Sequence, residues 1–163
     1  MAWQLRVASV DDLDAIMAIE SSTFGTDACS PAAMRADLDR VHCYYLVAFR
    51  LDSPDLIEGY GGLLAPIGSG EADIQTIAVA TTARREGLGR MIMRALIEEA
   101  GRRSAAHIFL EVRADNPNAE QLYLSLGFEN IAVRPKYYQP DGVDAHIMKM
   151  PLVAPRLSPA VGQ

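Results

Sequence analysis

The stretch ARREGLGR, Ala83 to Arg90, sets two glycines among three arginines. Glycine lets a backbone approach a ligand closely and take turns that a Cβ disfavours. From Leu88 onward, apolar residues recur at Met91, Ile92, Ala95, Leu96 and Ala100, the spacing of one helix face, so the glycines stand at a helix start. Free N–H groups and a partial positive charge make such a start attractive to anions, and Arg84, Arg85 and Arg90 would add to that pull. An ordinary tight turn carrying solvated arginines is the plainer reading of the same residues. The loop lacks the G-K-[ST] of nucleotide-hydrolysing proteins and the G-x-G-x-x-G with a later acidic residue of dinucleotide sites.

Glu111 is the second signal. It lies in HIFLEVRA, where alternation sends Ile108, Leu110 and Val112 to one face and Phe109, Glu111 and Arg113 to the other. Carboxylates are depleted in strands, and helices covering the sheet would partly desolvate this one and raise its pKa, as a general base near neutral pH requires. A pairing of Glu111 with Arg113 on the same face is the alternative. Tyr123, on the helix after that strand, is either a proton donor or an aromatic of the core or rim. Asn116, followed by Pro117, either meets a ligand or simply opens that helix.

The elements that must hold these residues are legible in outline. Trp3 to Val7 predicts a strand, and the S-x-x-D at Ser9 followed by Leu13, Ile16, Met17 and Ile19 predicts an amphipathic helix. Ser30-Pro31, with Met34 and Leu38, starts a second short helix after the loop TFGTDAC. Tyr44 to Phe49, GYGGLLA and ADIQTIAV predict an antiparallel meander, and the long helix follows the third of these strands directly. NPNAEQLYLSLG reads as a helix closed by Gly127, and Phe128 to Val133 and His146 to Met150 as a last pair of strands around the turn QPDG. The order β-α-α-β-β-β-α-β-α-β-β predicts an α/β (mixed α+β) domain, its mixed sheet flanked by helices on both sides. That domain spans 1–152, and the proline-punctuated remainder, 153–163, is expected to be a flexible tail.

Composition narrows the partners. With 15 Lys and Arg against 21 Asp and Glu, the net charge is −6, which argues against a broad surface for nucleic acid or anionic lipid. No apolar run approaches the roughly 18 residues of a membrane span. Cys29, Cys43 and the three histidines form neither a disulfide framework nor a metal-ligand set, so no metal and a cytoplasmic location are expected.

Taken together, the loop, the strand and the helix after it resemble the GCN5-related N-acetyltransferase (GNAT) superfamily. Its R-x-x-G-x-G/A pattern is matched by Arg84, Gly87 and Gly89. TIAV, REGLGR, LEVRADNPNAEQLY, SLGF and RPKYYQPDGVDAHIMKM are similar to its bacterial branch that acetylates the N-terminal alanine of a small-subunit ribosomal protein. The resemblance implies the GNAT fold, acetyl-CoA as cosubstrate and a ribosomal protein's N-terminal peptide as partner. It also implies that Ile77, Ala78 and Val79 run beside the pantetheine arm, and that Arg84, Arg85, Glu86, Gly87, Leu88, Gly89 and Arg90 cradle the pyrophosphate. Asn116 would meet the cofactor further along, Glu111 would act as general base and Tyr123 as general acid, and Tyr137 and Tyr138 would border the peptide groove. Relatives commonly carry tryptophan before the second helix where this chain has Cys29, which leaves open another protein N-terminus, a lysine or a small amine as acceptor; a non-catalytic acyl-CoA-binding module is a further alternative. Oligomeric state is not set by the sequence, and a monomer is compatible with it.

Overall fold

The computed structural model describes residues 3–152, so the expected tail at 153–163 lies outside the described residues. Its elements are β1 (Trp3–Val7), α1 (Leu13–Phe24), α2 (Pro31–Asp39), β2 (Cys43–Arg50), β3 (Gly59–Leu64), β4 (Glu71–Val79), α3 (Leu88–Arg102), β5 (His107–Arg113), α4 (Pro117–Leu126), β6 (Glu129–Tyr138) and β7 (Val143–Pro151). The strands form one seven-stranded sheet in the order β1-β2-β3-β4-β5-β7-β6, antiparallel at every step except β4 to β5. The fold is the mixed, mostly antiparallel one that the element order implied. Among the described residues, no helix is long and apolar enough to cross a membrane.

Local chemistry explains most boundaries. Ser9 and Asp12 form a capping box on the 3-10 turn that leads into α1, and Ser30 Oγ accepts the Ala33 N–H at 3.1 Å to open α2 behind Pro31. Two expectations are corrected. The loop TFGTDAC is shorter than expected: α1 runs through Phe24, which packs against the α1–α2 core, until Gly25 at φ 54° ends it. A 3-10 turn, Gly25–Asp27, follows. The last strands reach Tyr138 and begin again at Val143; β6 is an exposed edge strand, and beyond Val133 it lacks the apolar run by which strands are recognised.

Helices α3 and α4 cover one core, where Leu88, Ile92, Met93 and Leu96 meet Ile108 and Leu110. Helices α1 and α2 cover another, where Ile16, Ile19 and Met34 meet Tyr45, Tyr60 and Ala78. The glycines of GYGGLL permit this closeness: a Cβ on Gly61 would stand 2.6 Å from Ile92, and one on Gly62 would stand 2.2 Å from the Tyr45 ring.

Two irregularities in β4 make room for a site. Gly62 pairs with Thr76 but Leu63 pairs with Ile74, so Gln75 is an extra residue, a β-bulge. A bulge shifts the alternation by one residue. Ala72 and Ile74 therefore belong to the α3 core, whereas after Gln75 it is Ile77 and Val79 that pack there, with Ala78 turned to the α1 core. Pairing of β4 with β5 also stops at Asp73 and Phe109. Beyond that point the two strands part.

Candidate active site

The gap between β4 and β5 opens into a cavity of about 1070 Å³. Ile74 to Val79 form one wall and Leu110 to Arg113 the other. Gly87 to Gly89 line it as well, as do Glu20 and Cys29 from the α1–α2 side.

The start of α3 differs from those of α2 and α4. Ser30 and Asn116 cap theirs with side-chain hydrogen bonds, whereas Gly87, the N-cap of α3, makes none. The first-turn N–H groups of α3 are thus left available for an anion. Arg85 at φ 66° and Gly87 at φ 78° both take the left-handed conformation, which curls the loop. An added Cβ on Gly89 would meet Leu122 at 3.6 Å and Val79 at 4.0 Å, ordinary contacts. Glycine here leaves room in the cavity rather than relieving a clash within the protein.

The loop's charges divide. Arg84 and Arg85 line the cavity; Glu86 and Arg90 do not. Arg84 Nε donates to the Val79 carbonyl at 3.2 Å, and the Ala80 N–H donates to the Glu58 carbonyl across the β3 edge. Because successive residues of a strand point their main-chain groups to opposite edges, the N–H groups of Val79 and Ile77 face the gap. Asn116 opens α4, its Oδ1 accepting the Ala119 N–H at 3.3 Å, and it also lines the cavity.

Tyr123 and Glu111 line the same cavity from different elements. Tyr123, on α4, is buried, and burial pushes its phenol up to about 12. The expected desolvation of Glu111 is corrected: its side chain is 32% exposed. The α3–α4 core takes the opposite face of β5, and the face carrying Glu111 is left open. Its partner is Arg134 of β6, at 3.3 Å, and not Arg113. Arg113 is drawn instead to Asp27, to Asp115 at 2.9 Å and to Asp141 at 2.8 Å, with its guanidinium 5.1 Å from the Tyr138 ring centre.

Tyr138 borders the cavity, and burial pushes its hydroxyl up to about 12. Tyr137 packs edge-on against it and lines a second hollow of about 580 Å³ with Asp73, Phe109 and Glu111. Burial first, and then the neighbouring Glu71 and Glu111, raise the pKa of Asp73.

One residue of the site went unforeseen. Glu20 of α1 is buried, accepts the Cys29 N–H at 3.0 Å and the Thr76 hydroxyl at 3.2 Å, and is bonded to the Tyr60 hydroxyl. The clue was a carboxylate in phase with Leu13, Ile16 and Met17, on the apolar stripe of α1. Burial and the charge of Glu20 push the Cys29 thiol up to about 11, so little thiolate forms near neutral pH. Among the described residues, no group of three or more His, Cys, Asp or Glu could hold a metal ion.

Residues 13–128 match the model of the acetyltransferase (GNAT) family. An uncharacterized protein of Mycobacterium leprae, ML0378, is 38% identical over 85% of this chain, which spans only 38% of that protein's length. The N-alpha-acetyltransferase RimI of Mycobacterium tuberculosis is 34% identical over 80% of this chain and 81% of its own. Among solved structures, the ribosomal-protein-S18-alanine N-acetyltransferase from Escherichia coli superposes with a TM-score of 0.81 at 28% identity, covering 96% of this chain and 99% of the other.

Proposed function

This chain belongs to the GNAT acetyltransferase family, and from that premise we propose that it is an acetyl-CoA-dependent N-alpha-acetyltransferase of the RimI type, acting on the N-terminal alanine of a small-subunit ribosomal protein in the cytoplasm. One observation carries the reading: a single cavity joins the uncapped start of α3 to Tyr123 and Glu111. Similarity to RimI of M. tuberculosis and to the S18-alanine enzyme of E. coli supports the choice of acceptor. Residues 1–152 form the acetyltransferase domain in this reading.

The residues fit acetyl-CoA. Arg84, Arg85 and the N–H groups from Gly87 to Gly89 suit a pyrophosphate, with Glu86, Leu88 and Arg90 completing the loop and Asn116 further along the wall. The gap-facing main chain of Ile77 and Val79, with Ala78 between, suits the pantetheine amides. Bound acetyl-CoA supplies the thioester carbonyl that an amine attacks.

Glu111, directly or through a water, takes the proton of the acceptor's ammonium. An α-amino group, with a reference pKa of about 7.7–8.0 against about 10.4 for lysine, asks less of that base. The Val79 N–H polarises the carbonyl oxygen. Tyr123, kept neutral by its burial, holds the proton that the departing sulfur needs. The raised thiol of Cys29 makes a poor nucleophile, which favours direct attack in a ternary complex over an acyl-enzyme. Tyr138, with Tyr137 beside it, borders the acceptor's path.

The test is incubation with acetyl-CoA and peptides that differ only in residue one, beside N-acetylated controls, read by mass spectrometry. One acetyl group on the alanine peptide and none on the blocked control is the expected result. Transfer to lysine alone, or none with release of CoA to small amines, would replace the acceptor.

A further inference from the structure

Glu86 is an acidic residue inside a loop read as an anion site. It stands between Arg85 and Gly87, beside the free amides of α3, where its charge would repel a diphosphate. Its carboxylate is turned aside: Arg50 Nη2 lies 2.9 and 3.2 Å from its two oxygens. Arg50 ends β2, far from the loop in sequence, and lines no part of the cavity.

Arg50 is itself held on two further sides. Its Nε lies 3.3 Å from Glu58 Oε2, and its guanidinium packs over the Trp3 ring, 4.3 Å from the centre. Glu58 is buried, and its other oxygen accepts the Thr82 hydroxyl at 3.2 Å. Thr82 sits in the 3-10 turn Thr81–Ala83 that leads into the loop. One guanidinium thus ties β2, the turn before the loop and the loop's own carboxylate together, leaving little freedom for Arg50 to swing toward a ligand.

We propose that Arg50 is a positioning residue for the diphosphate loop, neutralising Glu86 and holding it away from the amides of α3. This rests on the assignment of that loop to acetyl-CoA. Neither Trp3 nor Glu58 lines the cavity; they aim Arg50.

The test is a double-mutant cycle on the full chain, with acetyl-CoA binding measured by calorimetry at low and at high salt. Arg50→Gln is expected to weaken binding about tenfold at low salt, and less at high salt where the freed Glu86 charge is screened. Glu86→Gln should then improve binding several-fold more in the Arg50→Gln background than in the wild type. The KM for acetyl-CoA should rise in Arg50→Gln while the acceptor's KM and the kcat at saturating acetyl-CoA stay put, a split that general loosening of the fold would not give. Additive effects, or an Arg50→Gln affinity equal to wild type, would overturn the proposal. If Arg50→Gln does not fold, Arg50→Met, which keeps an apolar stem over Trp3 and removes the charge, runs the same cycle under the same criteria. Failure of the wild type to bind acetyl-CoA would instead remove the reading of the loop on which the proposal rests.

Discussion

The two sides of the β4–β5 gap are held by different forces. Behind Gly87 the support is mainly apolar: Leu88, Ile92, Met93 and Leu96 are buried, Gly59 and Gly61 let α3 settle onto β3, and the ion pairs of Arg50 only supplement this packing. On the side of Glu111 and Arg113 the support is ionic. Arg113 gathers Asp27, Asp115 and Asp141 from three separate loops, and Arg134 reaches Glu111. Close packing tolerates little displacement and is indifferent to salt, whereas partly exposed ion pairs contribute about 0–1 kcal/mol each and are screened. Under the proposed function, a cofactor of fixed shape would meet the rigid side and an acceptor whose sequence can vary the adjustable one.

That contrast can be broken by experiment, most severely at the loop. Gly87→Val puts a β-branched residue at φ 78° and is expected to cost at least about 100-fold in acetyl-CoA affinity by calorimetry, with the acceptor side unaffected. Normal affinity would remove the loop from the cofactor site. Next comes Tyr123→Phe, for which kcat should fall about 100-fold while both KM values hold. In the wild type, ionisation of this phenol should not depress turnover below about pH 10, because burial holds it up to about 12. The same shift has a sign for stability: the folded state favours the neutral phenol, so its contribution is whole below about pH 10 and is lost as the pH rises toward about 12. Chemical denaturation at pH 8 and pH 11, compared between wild type and Tyr123→Phe, measures it.

Glu111→Gln should lower kcat by about 10- to 100-fold, most at low pH where unprotonated amine is scarcest, with acetyl-CoA affinity intact. Unchanged turnover at pH 6 would take Glu111 out of the base role. The smallest effect sharpens the comparison most directly. Arg113→Gln should raise the acceptor's KM by about 3- to 10-fold at low salt and flatten its salt dependence, leaving acetyl-CoA binding alone. A loss of acetyl-CoA affinity in that variant would mean that the two sides are not independently supported.

The same division explains what could be read from the sequence. The apolar side is written locally: the face from Leu88 to Ala100, the caps at Ser30 and Asn116 and the glycines of the loop all act within a few residues of where they stand. The ionic side is written at a distance. Asp27 is 86 residues from Arg113, and Thr76 is 56 from Glu20. Asp115 stands two residues from Arg113, but nothing local names Asp27 or Asp141, and one reading of the sequence paired Arg113 with Glu111 instead. The exposure of Glu111 was illegible for a related reason, since alternation says which residues share a face but not which face a helix leaves open.

Gln75 carries a last consequence. Because one extra residue moves β4 from one core's phase to the other's, the length of this strand works like a reading frame. Adding a residue between Thr76 and Ile77 would do more than lengthen a strand. It would send Ile77 and Val79 into the α1 core, bring Ala78 to the α3 side, and turn the amides that face the gap back toward β3. An insertion there should read as a frameshift of the site, with every residue type kept and every address changed.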